Sequence, residues 1–525
     1  MAIDLPPVVP TELITAEPAA EVGQALALSD GDRFFQIYGN TLLDQTTLSR
    51  ALEPAESTED ALQALAQTYR DQGYFLVSVR ALETSRGTNL YVQERRITEL
   101  DVPDPLHPYF APFEDEVGLK AHRFRRAAVL AQTHARQAGY EPFALYPQKE
   151  GQPEHVTLDI KVDDSLREPY KLSVGLSNYG NRFVGEYFAM ADVSYADVDG
   201  NRYRASVDTA FEGAGTSEDD GDLIKGGLGY DRISPLGQIA LDASYVDYDY
   251  VVDTGREFRP VFPDLGAQQR QYEGSTLELS AEATQLLYVG EGTRWIVAES
   301  IRYADDEVMD RTAQAMVLDE QYTVAGLRGT VAHDFTWQER QVSMGLTAEG
   351  LHALSAETQD TGAGRADADD GFTLALVQGS LGVDLSEQLS ATLMAEHQWA
   401  FDPLPQNEEW VLGGPNRIAA YLPGALEGDE GLYSRFEIAY EQIPLTLAKL
   451  DAKLFYEYGT AQFEQRIDTP RQTIADAGIS LTTRLLDGQL ALALTSAHPT
   501  QRDTADRQAL ERIRQTLFFE AQLSF

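Results

Sequence analysis

The chain has 525 residues with 41 Lys+Arg against 84 Asp+Glu, a formal charge of −43, which excludes ordinary nucleic-acid binding because phosphate backbones are held by clustered cations. A hydrophobic fraction of 43% with 25 Tyr and 21 Phe is too high for a disordered acidic chain, so the acidity decorates a folded body. With no cysteine, disulfide frameworks, thiolate zinc sites, iron–sulfur ligation and cysteine nucleophiles are excluded together.

The N-terminus, Met1-Ala2-Ile3-Asp4-Leu5-Pro6-Pro7, has neither the basic start nor the apolar core of a signal peptide, which leaves a cytoplasmic protein or a mature form restarted with Met. No run approaches the roughly 18 apolar residues of a membrane helix. The strands of a transmembrane barrel escape that test because they alternate. Residues 1–32, rich in Pro, Ala and Glu, read as a linker with a short helix around Thr11–Leu28, or as a disordered tail.

From 33 to about 165 the pattern alternates between helix and strand and repeats itself. Ala66-Gln67-Thr68-Tyr69-Arg70-Asp71-Gln72-Gly73-Tyr74 echoes Ala131-Gln132-Thr133-His134-Ala135-Arg136-Gln137-Ala138-Gly139-Tyr140. In each copy an amphipathic helix ends at a glycine suited to the left-handed position after the last turn, and a strand follows. The first copy runs from strand Phe35–Tyr38 through helices near Leu43–Leu52 and Thr58–Gln72 to strands Phe75–Leu82 and Asn89–Gln93. The second runs from Ile97–Val102 to Thr157–Val162. Two βααββ modules, 33–95 and 96–166, are the economical reading.

Beyond 166 helical periodicity gives way to long alternating strands. In Arg202–Phe211, Tyr203, Ala205, Val207, Thr209 and Phe211 face one side and Arg202, Arg204, Ser206 and Asp208 the other. Leu517, Phe519, Ala521, Leu523 and Phe525 likewise share a face, with Phe518 the exception. Sixteen such segments fall between 170–178 and 512–525, an even number. Tight turns (Asp199-Gly200-Asn201, Pro235-Leu236-Gly237, Asp487-Gly488) alternate with longer polar loops at 213–222, 355–370 and 401–430. Short turns at one end and long loops at the other predict an antiparallel 16-stranded transmembrane barrel over 167–525. It must close, because lipid tolerates no unpaired backbone. A soluble sandwich is the competing reading.

These features resemble the two-partner secretion transporters, the TpsB proteins of ShlB/FhaC/HecB type, in which two polypeptide-transport-associated (POTRA) modules precede a sixteen-stranded barrel. The sharpest likeness is Leu412-Gly413-Gly414-Pro415-Asn416-Arg417-Ile418-Ala419-Ala420-Tyr421 followed by Gly428-Asp429-Glu430-Gly431. It is similar to the family's sixth extracellular loop, which folds into the lumen around a Val-Arg-Gly/Ala-Tyr core and then reads Gly-Asp-x-Gly. Ser177-Asn178-Tyr179-Gly180, Phe455-Tyr456-Glu457-Tyr458-Gly459 in place of Phe-x-Asp-x-Gly, and the terminal Phe525 match as well.

The resemblance implies a Gram-negative outer-membrane protein with its POTRA domains in the periplasm. Its partner would be a secreted exoprotein with an N-terminal secretion domain of TpsA type, bound unfolded and secreted through the barrel without ATP. It further implies contact with outer-membrane lipid and lipopolysaccharide, Phe525 as an insertion signal read by the barrel assembly machinery, and residues 1–32 as a linker or plug helix. One departure matters: Ala419 stands where the family arginine pairs with the carboxylate of the Phe-x-Asp-x-Gly strand. The nearest guanidinium is Arg417, which in an extended loop projects to the same side and could reach Glu457 or Glu437; the alternative is a solvated Arg417 and a loop held by packing around Tyr421. The lock residues expected are therefore Gly413, Gly414, Arg417, Tyr421, Gly428, Asp429 and Glu457.

Enzymatic readings fare poorly. No two His flank a Glu at metalloprotease spacing, and there is neither a nucleophile elbow nor a phosphate loop. Gly226-Gly227-Leu228-Gly229 sits inside a strand as barrel-wall packing. Neither cofactor nor metal is called for, though Glu218-Asp219-Asp220-Gly221-Asp222 is either a solvated acidic loop or a cation site. Two other functions stay open, an assembly factor of the same superfamily that inserts proteins or lipids, and a passive porin. The first usually carries three or more modules, and the second needs none.

Overall fold

The computed structural model describes residues 11–18, 25–30, 33–145, 155–163, 167–181, 183–210, 221–253, 269–360, 371–444, 448–463, 471–504 and 507–525. The described residues of the N-terminal segment hold strands β1 (Glu12–Leu13) and β2 (Leu26–Asp30) at the two ends of the short helix expected around Thr11–Leu28, whose middle, residues 19–24, lies outside the described residues. Both strands extend the sheet of the first module, whose backbone offers unpaired edges that a helix could not fill.

That module is β3 (Arg33–Tyr38), α1 (Gln45–Leu52), α2 (Thr58–Asp71), β4 (Val77–Thr84) and β5 (Gly87–Glu94), in sheet order β1-β4-β5-β3-β2. α1 starts at Asp44, whose carboxylate accepts from Thr47 N–H, and α2 at Ser57, whose hydroxyl accepts from Asp60 N–H. Ala61, Leu62, Leu65, Ala66 and Tyr69 recur at helical spacing and bury one face of α2 on the sheet. Burial, and then the charge of Glu94, raises the Tyr69 hydroxyl above its ordinary pKa, so it stays a neutral donor.

The second module is β6 (Arg96–Asp101), α3 (His107–Phe110), α4 (Ala121–Gln137), β7 (Glu141–Leu145) and β8 (His155–Asp163), in order β6-β8-β7. Its first helix is a single turn among Pro103, Pro105 and Pro108. The echo is structural: Gly73 (φ +82°) and Gly139 (φ +86°) follow α2 and α4 at equivalent places. In both copies the next N–H closes on the last turn, Tyr74 onto Tyr69 and Tyr140 onto Ala135.

The barrel strands run in chain order: β9 (Tyr170–Ser177), β10 (Phe188–Ala196), β11 (Asn201–Ala210), β12 (Asp222–Ser234), β13 (Gly237–Asp253), β14 (Gln269–Val289), β15 (Thr293–Asp310), β16 (Ala315–Trp337), β17 (Arg340–Asp360), β18 (Thr373–Asp384) and β19 (Leu389–Ala400). An inserted hairpin, β20 (Trp410–Leu412) and β21 (Leu426–Gly428), precedes β22 (Glu430–Pro444), β23 (Lys449–Gln462), β24 (Gln472–Leu485), β25 (Leu490–Asp503) and β26 (Phe518–Ser524). Excluding that hairpin, sixteen antiparallel strands close when β26 pairs with β9, Glu520 opposite Ser177 through Ser524 opposite Ser173. Phe525 extends the seam by exchanging backbone hydrogen bonds with Leu172.

The alternation holds. Tyr203, Val207, Leu454, Tyr456, Leu517 and Phe525 face outward and exposed, while Phe518 points in and is buried. Phe211, residues 361–370, and Glu218, Asp219 and Asp220 of the acidic loop lie outside the described residues. The strand bounds depart from the sequence pattern in two ways. β14, β16 and β17 exceed 20 residues, twice what a bilayer requires, so the wall rises beyond the hydrocarbon at the end away from the modules. The last strand starts at Phe518 rather than 512, because Arg507–Arg512 is a helix, α5. Leu510 and Ile513, three apart, both turn inward there, which suits a helix and not a strand.

α4 docks the second module on the barrel's short turns. Its buried His134 lies 2.8 Å (Nε2) from the Val198 carbonyl and 3.0 Å (Nδ1) from the Tyr109 hydroxyl. A carbonyl only accepts, so Nε2 carries the proton and Nδ1 takes the one from Tyr109. Ile233, Leu286 and Val289 of the barrel rim join the module's core, and His122 stacks on Tyr288 at 5.6 Å.

Candidate functional site

The chain between β19 and β22 folds into the lumen. β20 pairs with β21, Trp410 opposite Gly428 and Leu412 opposite Leu426. Gly413 and Gly414, both at positive φ, open the turn that returns at Arg417, whose carbonyl accepts from Gly413 N–H at 2.6 Å. Two glycines in the surrounding motifs are required by close approach. A Cβ on Gly431 would run into the Trp410 ring, and one on Gly459 would meet Leu412 and Ile418. Gly431 and Gly459 are thus the seats of the loop on β22 and β23. Asp429 is buried and ties the loop's two ends, its carboxylate accepting from Leu404 N–H at 3.1 Å and its carbonyl from the Gln398 amide. Gly428, beside it, packs on the Gln462 backbone.

Arg417 does not reach Glu457. Its guanidinium lies over Trp410 at 4.4 Å and pairs with Glu396 of β19 at 2.6 Å. Ile418, at φ +68° between Arg417 and Ala419, takes the chain out of the extended form, so the two positions do not project to the same side. Glu457, fully buried, is occupied otherwise: one oxygen accepts from Ala419 N–H at 2.9 Å, the other from Arg435 of β22 at 3.0 Å and the Tyr433 hydroxyl. Asp476 of β24 stands directly across the ladder from Glu457, is equally buried, and accepts from Ala420 N–H at 2.7 Å. Two wall carboxylates therefore hold two successive backbone N–H groups of the loop tip. The compensating guanidinium comes from the barrel wall, where Arg435 also binds Glu437 at 2.9 Å and stacks on Phe455 at 4.2 Å. Backbone donors need no side chain, which is how Ala419 can stand where an arginine is expected.

Packing completes the seat. Ile418, Ala419, Ala420, Tyr421 and Leu422 are buried in one cluster with Trp410, Phe455, Ile474 and Phe518. Ile418 takes φ +68°, a strained setting for a β-branched residue, which the surrounding tethers over-determine. Phe525 lies far from this cluster, at the opposite end of β26 and facing outward. On the wall of β9 to β13 the inward Ser173, Ser194, Ser206 and Gly227 line a cavity of about 350 Å³ together with the charged Lys171, Asp192, Arg204, Lys225 and Asp242.

The site thus includes Glu457, Tyr421, Gly413, Gly414, Gly428 and Asp429, with Arg417 on its flank. Sequence reasoning missed Trp410, Tyr433, Arg435 and Asp476. Alternation alone turns Arg435 and Asp476 inward; that Asp476 faces Glu457 depends on register.

A family model described as haemolysin secretion/activation protein ShlB/FhaC/HecB matches residues 157–485. Among solved structures, CdiB from Escherichia coli superposes with a TM-score of 0.75 at 16% identity, covering 98% of this chain and 93% of its own. CdiB from Acinetobacter baumannii follows with a TM-score of 0.64 at 12% identity, covering 96% and 91%. At these identities the likeness is one of fold. No curated protein matches the chain.

Proposed function

This chain belongs to the haemolysin secretion/activation family ShlB/FhaC/HecB, the TpsB-type secretion transporters of the outer membrane, and from that premise we propose how it works. Its partner class is a secreted TpsA-type exoprotein, and it is a transporter rather than an enzyme. Residues 33–95 and 96–166 serve as POTRA domains in the periplasm, joined to the barrel 167–525 and preceded by a linker. They bind the unfolded exoprotein by main-chain pairing along a sheet edge, which gives affinity with little sequence demand. The barrel then passes the chain outward past the lumenal loop. No ATP is consumed; folding of the cargo outside withdraws the emerging segment. Outer-membrane lipid and lipopolysaccharide contact the apolar exterior, and the barrel assembly machinery inserts the protein by reading Phe525.

The observation that carries this reading is the seat of the loop. It is held by Ala419 and Ala420 N–H to two carboxylates, by Arg417 to Glu396 and by backbone pairing with residues 513–515, and none of these is a rung of the sixteen-strand ladder, so the loop can leave without first breaking one. The test is reconstitution in lipid vesicles with an unfolded exoprotein carrying an N-terminal secretion domain and no nucleotide. Protease protection of the exoprotein on the far side is expected. Transport only with added nucleotide, or insertion of barrel proteins in place of transport, would replace this reading with that of an assembly factor.

A further inference from the structure

The connection between β25 and β26 is where the seated loop meets the closure of the barrel. Leu422 N–H donates to the Ile513 carbonyl at 2.9 Å and Gln515 N–H to the Ala420 carbonyl at 3.0 Å, with Tyr421 bridged antiparallel to Arg514. Leu510, Ile513 and Phe518 are buried in the same cluster as Ile418–Leu422. Three residues after that pairing the segment becomes β26, whose start is clamped to β9. The Asn178 amide donates to the Leu517 carbonyl at 2.8 Å, and its oxygen accepts from Phe519 N–H at 2.6 Å. Tyr179 stands edge-on to Phe518 with ring centroids 5.9 Å apart, and its hydroxyl reaches Glu520 at 3.3 Å. Phe518, the residue that breaks the outward apolar run of the last strand, points inward because it belongs to the loop's cluster.

The seam it guards is a short one. The β26–β9 ladder runs from Glu520/Ser177 to Ser524/Ser173, extended only by Phe525 with Leu172 at one end and by Asn178 N–H to the Phe519 carbonyl at the other, whereas β24 and β25 pair from Thr473/Asp503 to Leu485/Leu490. Above Glu520, where Phe518 and Phe519 stay paired with β25, the hold of β26 on β9 comes from Asn178, and the segment 513–515 leading into it is held by the loop. When the loop tip leaves, residues 513–515 lose their backbone partners and Phe518 loses its apolar seat. We propose that the seated loop braces the barrel's closure, so that unseating the loop and loosening the outer end of the β26–β9 seam form one coupled transition. Coupling of this kind is reciprocal, so weakening the seam must release the loop. The result is a lumen that widens as its occupant leaves.

The absence of cysteine makes paired labelling direct. Spin labels at Asn416→Cys on the loop turn and Ser244→Cys on the facing wall report loop position in the purified full chain, with no cargo present. Asn178→Ala touches the seam and not the loop, and it should raise the population with displaced labels several-fold. An unchanged distance distribution in correctly folded Asn178→Ala protein would overturn the coupling. The second arm adds Leu176→Cys and Ala521→Cys, which are register partners on the lipid face, to a Glu457→Ala background. Thiol-directed labelling then uses iodoacetamide-type reactivity at Asn416→Cys alone. Oxidising the seam pair should lower that reactivity several-fold relative to the reduced protein, and equal reactivity would overturn the proposal even if Asn178→Ala does not fold.

Discussion

Removing the Glu457 carboxylate would leave the Ala419 N–H without its acceptor, the Tyr433 hydroxyl with only the Asn416 carbonyl, and Arg435 with only Glu437, in a fully buried place. Breaking a buried pair from one side costs about 3–5 kcal/mol. Glu457→Ala should therefore unseat the loop, read as protease sensitivity within 413–425 and a rise in single-channel conductance. Arg417→Ala should cost about 1 kcal/mol or less, because its pair with Glu396 is partly exposed. The two residues share no contact, so their effects should add within about 0.5 kcal/mol, whereas Glu457→Ala and Arg435→Ala should fall short of additivity. A strong coupling between Arg417 and Glu457 in such a cycle would restore the direct ion pair that the sequence suggested.

At the scale of elements, the two glycines that end α2 and α4 differ in what a side chain would meet. A Cβ on Gly73 finds only the flexible Lys120 side chain at 3.6 Å, so Gly73→Ala should cost the left-handed backbone strain alone, about 1–2 kcal/mol. On Gly139 it would press on the Glu168 backbone nitrogen at 3.2 Å, so Gly139→Ala should lower the melting temperature further. In the barrel, depth decides. Leu523 pairs with Leu490 at the very start of β25, at the rim, so Leu523→Arg should cost about 0–1 kcal/mol. Ile479, outward and midway along β24, should cost about 2–4 kcal/mol as Ile479→Arg, measured by urea unfolding in bilayers. Phe525 closes the seam through its backbone, which a substitution keeps; reduced outer-membrane yield of Phe525→Ser would then report its side chain as an insertion signal.

For the whole molecule, the junction of module and barrel carries a pH dependence. Burial, then the charges of Arg123 and Lys120, lower the pKa of His122 below its ordinary value of 6.5. A lowered value favours the neutral ring in the docked state, so its contribution is present above about pH 6.5 and is lost as pH falls through that value towards the lowered one. Protection factors in α4, that is exchange corrected for the intrinsic base-catalysed rate at each pH, should fall near pH 5.5 relative to pH 7.5, and His122→Phe should remove the difference.

The sequence by itself determined the two modules and the even count of alternating strands, because each is written in local periodicity, while the inward course of the loop and the departure at Ala419 came from the likeness of a contiguous motif to that of a known family. A period of two assigns faces without any knowledge of neighbours, and the repeated glycine fixes a helix end within its own turn. The tertiary structure alone decided what holds the loop. Which inward residue faces which depends on register, and that placed Asp476 beside Glu457 and brought Arg435 from a third strand. Backbone N–H groups at Ala419 and Ala420 leave no trace in side-chain identity, so an anchor made from them is invisible until the chain is folded. The same holds for the N-terminal segment, whose weak propensity yields to open sheet edges, and for Phe518, whose facing is set by a loop nearly a hundred residues away in the sequence.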